Sequence, residues 1–296
     1  MRTSADERRE FADADRPTID RWQLERLNRL LDAVLPHNAF YADKFSRVTP
    51  PLASLDALTD LPCTTKDELT GTTEQGNRIR TLTYALDRYW RRHQTSGTKG
   101  RPLVLLDTYD DWQWWLDCWQ YVLDAAEVAA DDRLFAAFSF GPFIGFWTAF
   151  EAAAARGAMV IPGGGLSTTA RLETILTADA TGVFCTPSYA LHLAEVAHTE
   201  GIDLTASSVR VIIVAGEPGG SVPNVGRRSE QALDARGIDH GGATEVGAWG
   251  FADPARRGLL VNEREFIAEF LSPDSTRPAS RGELAELVIT NLGREG

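Results

Sequence analysis

The stretch VRVIIVAGEPGG, residues 209–220, opens as an apolar run and closes in a glycine-bearing turn. Apart from Arg210, Val209 to Ala215 is built of Val, Ile and Ala. That composition predicts a strand buried on both faces, the habit of parallel sheets. Working outward, strand candidates at Leu134–Phe138, Ala158–Ile161 and Gly182–Thr186 alternate with helix candidates. The helices are expected at 146–156, ended by Gly157, at 169–178, and at 189–199, ended by Gly201. Such alternation predicts an α/β fold, with parallel sheets flanked by helices in βαβ-type subdomains. After about Gly258 the rhythm tightens. LLVNEREFIAEFL and ELAELVIT predict a small antiparallel β portion near the C-terminus.

Upstream, Trp22, Leu24, Leu27, Leu30, Leu31 and Val34 recur at helical spacing over 18–35. Thr64 or Thr65 is expected to cap a helix after Leu61-Pro62. RPLVLLD (101–107) reads as a strand, and Thr108 or Asp110 opens a helix. That helix carries Trp112, Trp114, Trp115, Trp119 and Tyr121, an aromatic stripe expected to pack in the core. Residues 1–17 read as a frayed lead-in, 18–257 as one α/β core, and 258–296 as the antiparallel portion of the same domain.

The 296 residues carry a net charge of −12, against the basic surface that broad nucleic-acid binding requires. Hydrophobic residues at 43% suffice for a sizeable core. Three cysteines without CxxC spacing indicate neither a disulfide framework nor a zinc knuckle, and a reducing cytoplasm fits them. The charged N-terminal stretch has no apolar h-region, and no apolar run approaches the ~20 residues of a membrane span.

Three glycine-bearing turns carry the chemistry. In QTSGTKGRP (94–102), Gly97 and Gly100 let backbone N–H groups approach an anion; Thr95, Ser96 and Thr98 add hydroxyls; Lys99 and Arg101 add charge. It is not a Walker A loop, because Lys99 precedes the second glycine. A phosphate cradle and a solvated turn both remain open for it. In AGEPGG, Gly216, Glu217 and Pro218 follow the buried strand, where open α/β sheets bind ligands, although an ordinary strand-ending turn has the same composition. In HGGATEVG (240–247), Thr244 and Glu245 offer oxygen ligands to a divalent metal bridging phosphates; a glycine turn with a solvated Glu is the alternative. No G-x-G-x-x-G follows an early strand, which disfavours a dinucleotide dehydrogenase.

Taken together and in this order, these segments resemble the adenylate-forming (AMP-forming) acyl-CoA synthetase superfamily, and most of all its phenylacetate–CoA ligase branch. TSGTKGRP is similar to that branch's SSGTTGKP loop, AGEP to its GAEP, and GATEV to its YGLSE motif. HNAFYADKF (37–45), LPCTTKDEL (61–69), AFSFGPFIG (137–145), TPSYALHLAE (186–195) and GELAELVITNL (282–292) also resemble stretches of that family. The likeness covers about residues 25 to 296.

The resemblance implies ATP-dependent activation of a carboxylic acid to an acyl-adenylate, then transfer to coenzyme A, with Mg²⁺ as the metal. It implies that Thr95, Ser96, Gly97, Thr98 and Gly100 hold the β- and γ-phosphates, with Lys99 either adding a phosphate contact or pointing to solvent. Gly216, Glu217 and Pro218 are implied to line the adenine pocket, and Gly242 and Ala243 to bind the cofactor. Thr244 and Glu245 are the implied catalytic pair, with Glu245 on the metal. Phe138, Phe140, Gly141, Phe143 and Tyr189 are candidates for the acid pocket, whose aromatic wall suits an aryl or other apolar acid. A small-molecule acid is thus the expected partner, with neither nucleic acid nor membrane, and the resemblance also allows a homodimer.

Four departures stand out. Lys99 replaces a second Thr. Gly241 stands where an aromatic residue usually stacks on adenine, with His240 one place early. Leu260 replaces a His. Glu263 and Glu269 keep the family's acidic positions, with an expected structural role. The family continues into a hinge and a small lid domain bearing the adenylation lysine; the chain stops before both, so a weakly active fragment is expected. Rival expectations are a carrier-protein or amine acceptor, and a non-catalytic nucleotide- or acyl-binding module.

Overall fold

The computed structural model describes residues 3–70, 79–97, 101–217, 222–255, 257–273 and 277–296. Along the chain, four helices come first: α1 (Ala5–Ala12), α2 (Arg16–Val34), α3 (Ala39–Lys44) and α4 (Lys66–Thr70). The strands β1 (Tyr89–Gln94) and β2 (Val104–Thr108) lead into α5 (Tyr109–Ala125). Alternation follows: β3 (Arg133–Ala136), α6 (Ile144–Arg156), β4 (Met159–Pro162), α7 (Thr168–Thr177), β5 (Gly182–Cys185), α8 (Pro187–Glu200), β6 (Val211–Val214), α9 (Pro223–Leu233) and β7 (Arg236–Ala243). Four strands close the chain: β8 (Gly247–Ala252), β9 (Leu259–Val261), β10 (Phe266–Leu271) and β11 (Glu286–Asn291). The chain divides into two compact units. One gathers Trp115–Ala243 and Gly250–Leu260; the other gathers Arg2–Trp114, Thr244–Trp249 and Val261–Gly296.

The first unit holds the parallel sheet. β4-β3-β5-β6-β7 are neighbours in that order and every pair among them is parallel, with β8 and β9 following at the β7 side. Chain order starts at β3, moves out to β4, then reverses through β5 to β7. This is a doubly wound order with its topological switch point between β3 and β5. All four residues of β6 are buried, as its composition predicted, and so are those of β5. Phe135, Val183, Ile212 and Val214 pack with Leu172, Ile175 and Leu193 of the covering helices. Each such side chain contributes about 1.5–3 kcal/mol on burial. Trp115 and Trp119 on α5 are 2% exposed, in keeping with a core stripe.

The second unit is held differently. β1 and β2 form an antiparallel pair, as do β10 and β11, the small sheet expected after Gly258. Leu27 and Leu31 of α2 pack on Leu52, Leu58, Ile267 and Leu292. The stretch read as a frayed lead-in instead contains α1. Ser4 accepts the Glu7 N–H while the Glu7 carboxylate takes the Ser4 N–H at 2.7 Å, a reciprocal cap that stabilises a short helix.

Candidate active site

In the first unit, the segments leaving β3 and β5 flank the switch point. Phe138, Phe140, Gly141 and Phe143 follow β3; Tyr189 lies in the first turn of α8, after β5. Phe138 is buried and stacked on Phe146 at 4.0 Å between ring centroids. Phe140 meets Trp147 at 4.5 Å and Phe150 at 5.1 Å. The Gly141 carbonyl accepts the Trp147 indole N–H at 2.8 Å, which fixes the loop, and Phe143 is left 44% exposed. The Tyr189 hydroxyl lies 3.2 Å from Thr168 Oγ1. Beneath its ring, at 5.0 Å, sits the buried guanidinium of Arg171, which donates to the carbonyls of Gly163 and Ala137. Arg171 was not singled out from the sequence; its role as a buttress between the ends of β3 and β4 depends on contacts that a lone arginine on a helix does not announce.

β6 ends in the expected turn. Gly216 takes φ +94°, a backbone state in which a side chain would be strained. The Glu217 carboxylate accepts the Ser188 N–H at 2.6 Å, at the N-terminus of α8, where Thr186 caps the helix by accepting from Tyr189. Hydrogen bonds from the Ser188 side chain and N–H hold the Glu217 carboxyl below its ordinary pKa, and the helix N-terminus favours the anion. Pro218 lies outside the described residues. Cys185, at the end of β5, is no nucleophile: burial pushes its thiol up to about 12.

In the second unit, β1 and β2 present the loop read as a phosphate cradle. Thr95 is buried, and its Oγ1 accepts the Leu103 N–H at 3.0 Å while its own N–H donates to the Leu103 carbonyl. These two bonds clamp the base of the loop. Ser96 is exposed, and Gly97 takes φ +71°, a backbone state that favours glycine. Thr98, Lys99 and Gly100 lie outside the described residues. Arg101 is exposed.

His240-Gly241-Gly242-Ala243 forms the end of β7 rather than a turn; the turn is Thr244–Val246. Gly242 and Ala243 are exposed and Gly241 is buried. The Thr244 carbonyl accepts from Arg294 Nη1 at 2.8 Å, and Glu245 pairs with Lys66 Nζ at 2.8 Å. Lys66 opens α4 behind the Thr65 cap, whose N–H donates to Glu68 at 2.7 Å. Neither Lys66 nor Arg294 was singled out from the sequence, because both reach the turn from segments remote in the chain. Among the described residues no group of three or more His, Cys, Asp or Glu could hold a metal ion. A cation at Glu245 would therefore take its remaining ligands from phosphate and water, as Mg²⁺ commonly does.

The departures also find places. The His240 ring lies against Trp119 at 4.4 Å, and its Nδ1 is 2.9 Å from the Gly250 carbonyl, so Nδ1 carries the proton. Desolvation lowers its pKa to about 4. It is packed inward in the first unit. Glu263 pairs with Arg16 on the surface, a structural contact. The carboxyl of Glu269, on β10, is raised by burial.

No protein-family model matches the chain. It is 29% identical to a phenylacetate-coenzyme A ligase of Escherichia coli K12 over 280 residues, which is 92% of this chain and 63% of that protein. It is 28% identical to a phenylacetate-coenzyme A ligase of Pseudomonas putida, over 96% of this chain and 67% of that protein. The chain thus spans about two thirds or less of these curated relatives. Among solved structures, a 2-hydroxyisobutyryl-CoA ligase in complex with 2-HIB-AMP and CoA superposes with a TM-score of 0.91 at 25% identity, covering 100% of this chain and 65% of that one. Among the described residues no helix is long and apolar enough to cross a membrane. The chain is similar to phenylacetate-coenzyme A ligases over more than nine tenths of its length and carries the α/β fold of acyl-CoA ligases.

Proposed function

We propose that the protein activates a carboxylic acid with ATP to an acyl-adenylate and passes the acyl group to coenzyme A. The similarity to phenylacetate-coenzyme A ligases over more than nine tenths of the chain carries this proposal. A substrate carboxylate oxygen attacks the α-phosphorus of ATP and pyrophosphate leaves. The coenzyme A thiolate then attacks the acyl carbon and AMP leaves. The residues named here position reactants and offset charge on phosphate oxygens.

Thr95, Ser96 and Gly97, with Thr98, Lys99 and Gly100, supply donors for the β- and γ-phosphates. Glu245 would hold Mg²⁺ and the Thr244 hydroxyl would hydrogen-bond phosphate, and the metal would neutralise phosphate charge when bound. Gly216, Glu217 and Pro218, with Gly242 and Ala243, border the adenine. The acid lies against Phe138, Phe140, Gly141, Phe143 and Tyr189, where β3 and β5 part. The aromatic cluster behind Phe140 favours an aryl or other apolar acid. A cytoplasmic setting, a homodimeric state and the lack of a nucleic-acid partner belong to the same proposal; the charge of −12 and three free cysteines support the first and last.

The test combines two measurements on the protein at its natural length. Calorimetry with phenylacetyl-sulfamoyl-adenosine, a stable mimic of the adenylate, is expected to give micromolar or tighter binding. Hydroxylamine trapping is expected to yield hydroxamates from aryl acids only with ATP and Mg²⁺, and added coenzyme A to divert them to thioester. Absence of both mimic binding and AMP formation would sink the proposal. Gly241, which has no ring to stack on adenine, favours a second reading as a non-catalytic nucleotide- or acyl-binding module; ligand binding without adenylate formation would support that one.

A further inference from the structure

Arg294 joins two pieces of the second unit that the chain itself keeps apart. Its Nη2 lies 2.8 Å from Asp107 Oδ1, both side chains being almost wholly buried, and its Nη1 donates to the Thr244 carbonyl at 2.8 Å. Asp107 stands on β2, opposite Arg91 of β1, in the pair whose loop starts at the Thr95–Leu103 clamp. The Arg294 backbone is itself pinned on both sides. Its N–H donates to Asn291 Oδ1 at 3.1 Å, and the next residue, Glu295, donates its N–H to Asp111 Oδ1 at 2.7 Å and accepts from the Thr83 hydroxyl.

We propose that Arg294 is a positioning residue for the phosphate and metal site. Held by Asp107, its guanidinium fixes the Thr244 carbonyl and so sets where the Thr244 hydroxyl and Glu245 carboxylate stand relative to the Thr95–Leu103 clamp beside β1 and β2. This rests on the ligase reading above. The chemistry calls for arginine. A planar guanidinium can face a carboxylate as an ion pair with one nitrogen while another donates to a carbonyl, whereas an ammonium on a flexible stem is a point charge that satisfies one partner well. The carbonyl it holds belongs to the residue whose hydroxyl is assigned to the site, so a shift there moves that hydroxyl and the neighbouring carboxylate together.

The test separates holding the fold from holding the turn. Asp107→Asn combined with Arg294→Gln removes both buried charges and leaves a polar amide at each position, so the double variant is expected to melt closer to the parent than either single variant. Calorimetry then compares two ligands. Affinity for ATP with Mg²⁺ is expected to fall about 10–100-fold, the usual cost of losing an outer-shell partner of a metal site. Affinity for phenylacetyl-sulfamoyl-adenosine, which lacks the β- and γ-phosphates, is expected to stay within about two-fold. Arg294→Lys, which keeps the charge beside Asp107, is expected to show the same split and stands in if the double variant does not fold. Unchanged ATP·Mg²⁺ affinity, or an equal loss of both ligands, overturns the inference while leaving the ligase proposal standing. A parent that binds neither ligand overturns the ligase proposal itself.

Discussion

The two units place their polar groups by different means. In the first, position comes from local rules: strands end at one edge, and the next helix begins there with its N–H groups free. Glu217 follows β6 by three residues and finds the first turn of α8. In the second, position comes from side chains that cross long stretches of sequence. Glu265 takes the Trp114 indole N–H at 2.7 Å and pairs with Arg26 at 2.7 Å; Gln23 donates to the carbonyls of Glu263 and Phe266. The first unit sets its strand ends mainly through backbone, with Arg171 as a side-chain buttress, while the second relies on buried polar side chains, and the two should fail differently.

The largest effect is expected at Glu265, which is 4% exposed. Glu265→Ala strips a buried indole donor and a partly buried guanidinium of their shared carboxylate, a loss of about 3–5 kcal/mol. Urea unfolding at neutral pH would measure it. Glu265→Gln, which keeps an acceptor for Trp114, should cost clearly less. A loss below about 1 kcal/mol for the Ala variant would mean that the second unit does not depend on its buried polar contacts.

A pH experiment addresses the first unit. Desolvation depresses the His240 imidazole from 6.5 to about 4, against smaller opposing effects of the Gly250 carbonyl and Asp239. Between those values the unfolded chain binds a proton that the folded chain refuses, so stability rises with pH across the window and is complete above about 6.5. The depression corresponds to at most about 3 kcal/mol, less whatever access water has to the half-buried ring. His240→Phe should unfold with a shallower pH dependence between pH 4 and 6.5. An unaltered slope would place the titration elsewhere.

The same contrast explains what the sequence disclosed. β3 to β6 and α6 to α8 were legible because apolar runs alternate with amphipathic ones, and Gly157 and Gly201 mark helix ends with left-handed caps. β7, RGIDHGGA, was not: its glycines and charges look like a turn, and only pairing with β6 makes it a strand. β1, YWRRHQ, was missed for a related reason, since its charged faces conceal the alternation until β2 lies beside it. At the candidate site, Gly216, Glu217, Thr244 and Glu245 lie in glycine-bearing turns and could be named from local composition. Arg171 in the first unit and Lys66 and Arg294 in the second could not, because each reaches its neighbouring candidate residues through the fold alone.

A smaller effect tests the local rule directly. Thr186 caps α8 by accepting from the Tyr189 N–H at 3.3 Å. Thr186→Ala should cost about 1 kcal/mol in urea unfolding, while Thr186→Ser should restore most of it. If Ala and Ser behaved alike, the hydroxyl would not be what starts the helix beside Glu217.

The smallest effect is expected at Lys66, and its smallness is informative. The Lys66–Glu245 pair resembles Arg294–Asp107 in charge and distance, yet the Lys66 side chain is 51% exposed where those of Arg294 and Asp107 are 5% or less. Water reaches the Lys66 end of the pair, although the Glu245 side chain is only 19% exposed, so Lys66→Ala should change the unfolding free energy by no more than about 1 kcal/mol, and about 0.5 M salt should reduce the difference. A carboxylate held so weakly can exchange its ammonium partner for a cation at little cost, while the turn that carries it stays fixed from the other side by Arg294. A loss above about 1 kcal/mol in Lys66→Ala would make the ion pair a structural tie, and Glu245 would then be committed to the fold rather than open to a metal.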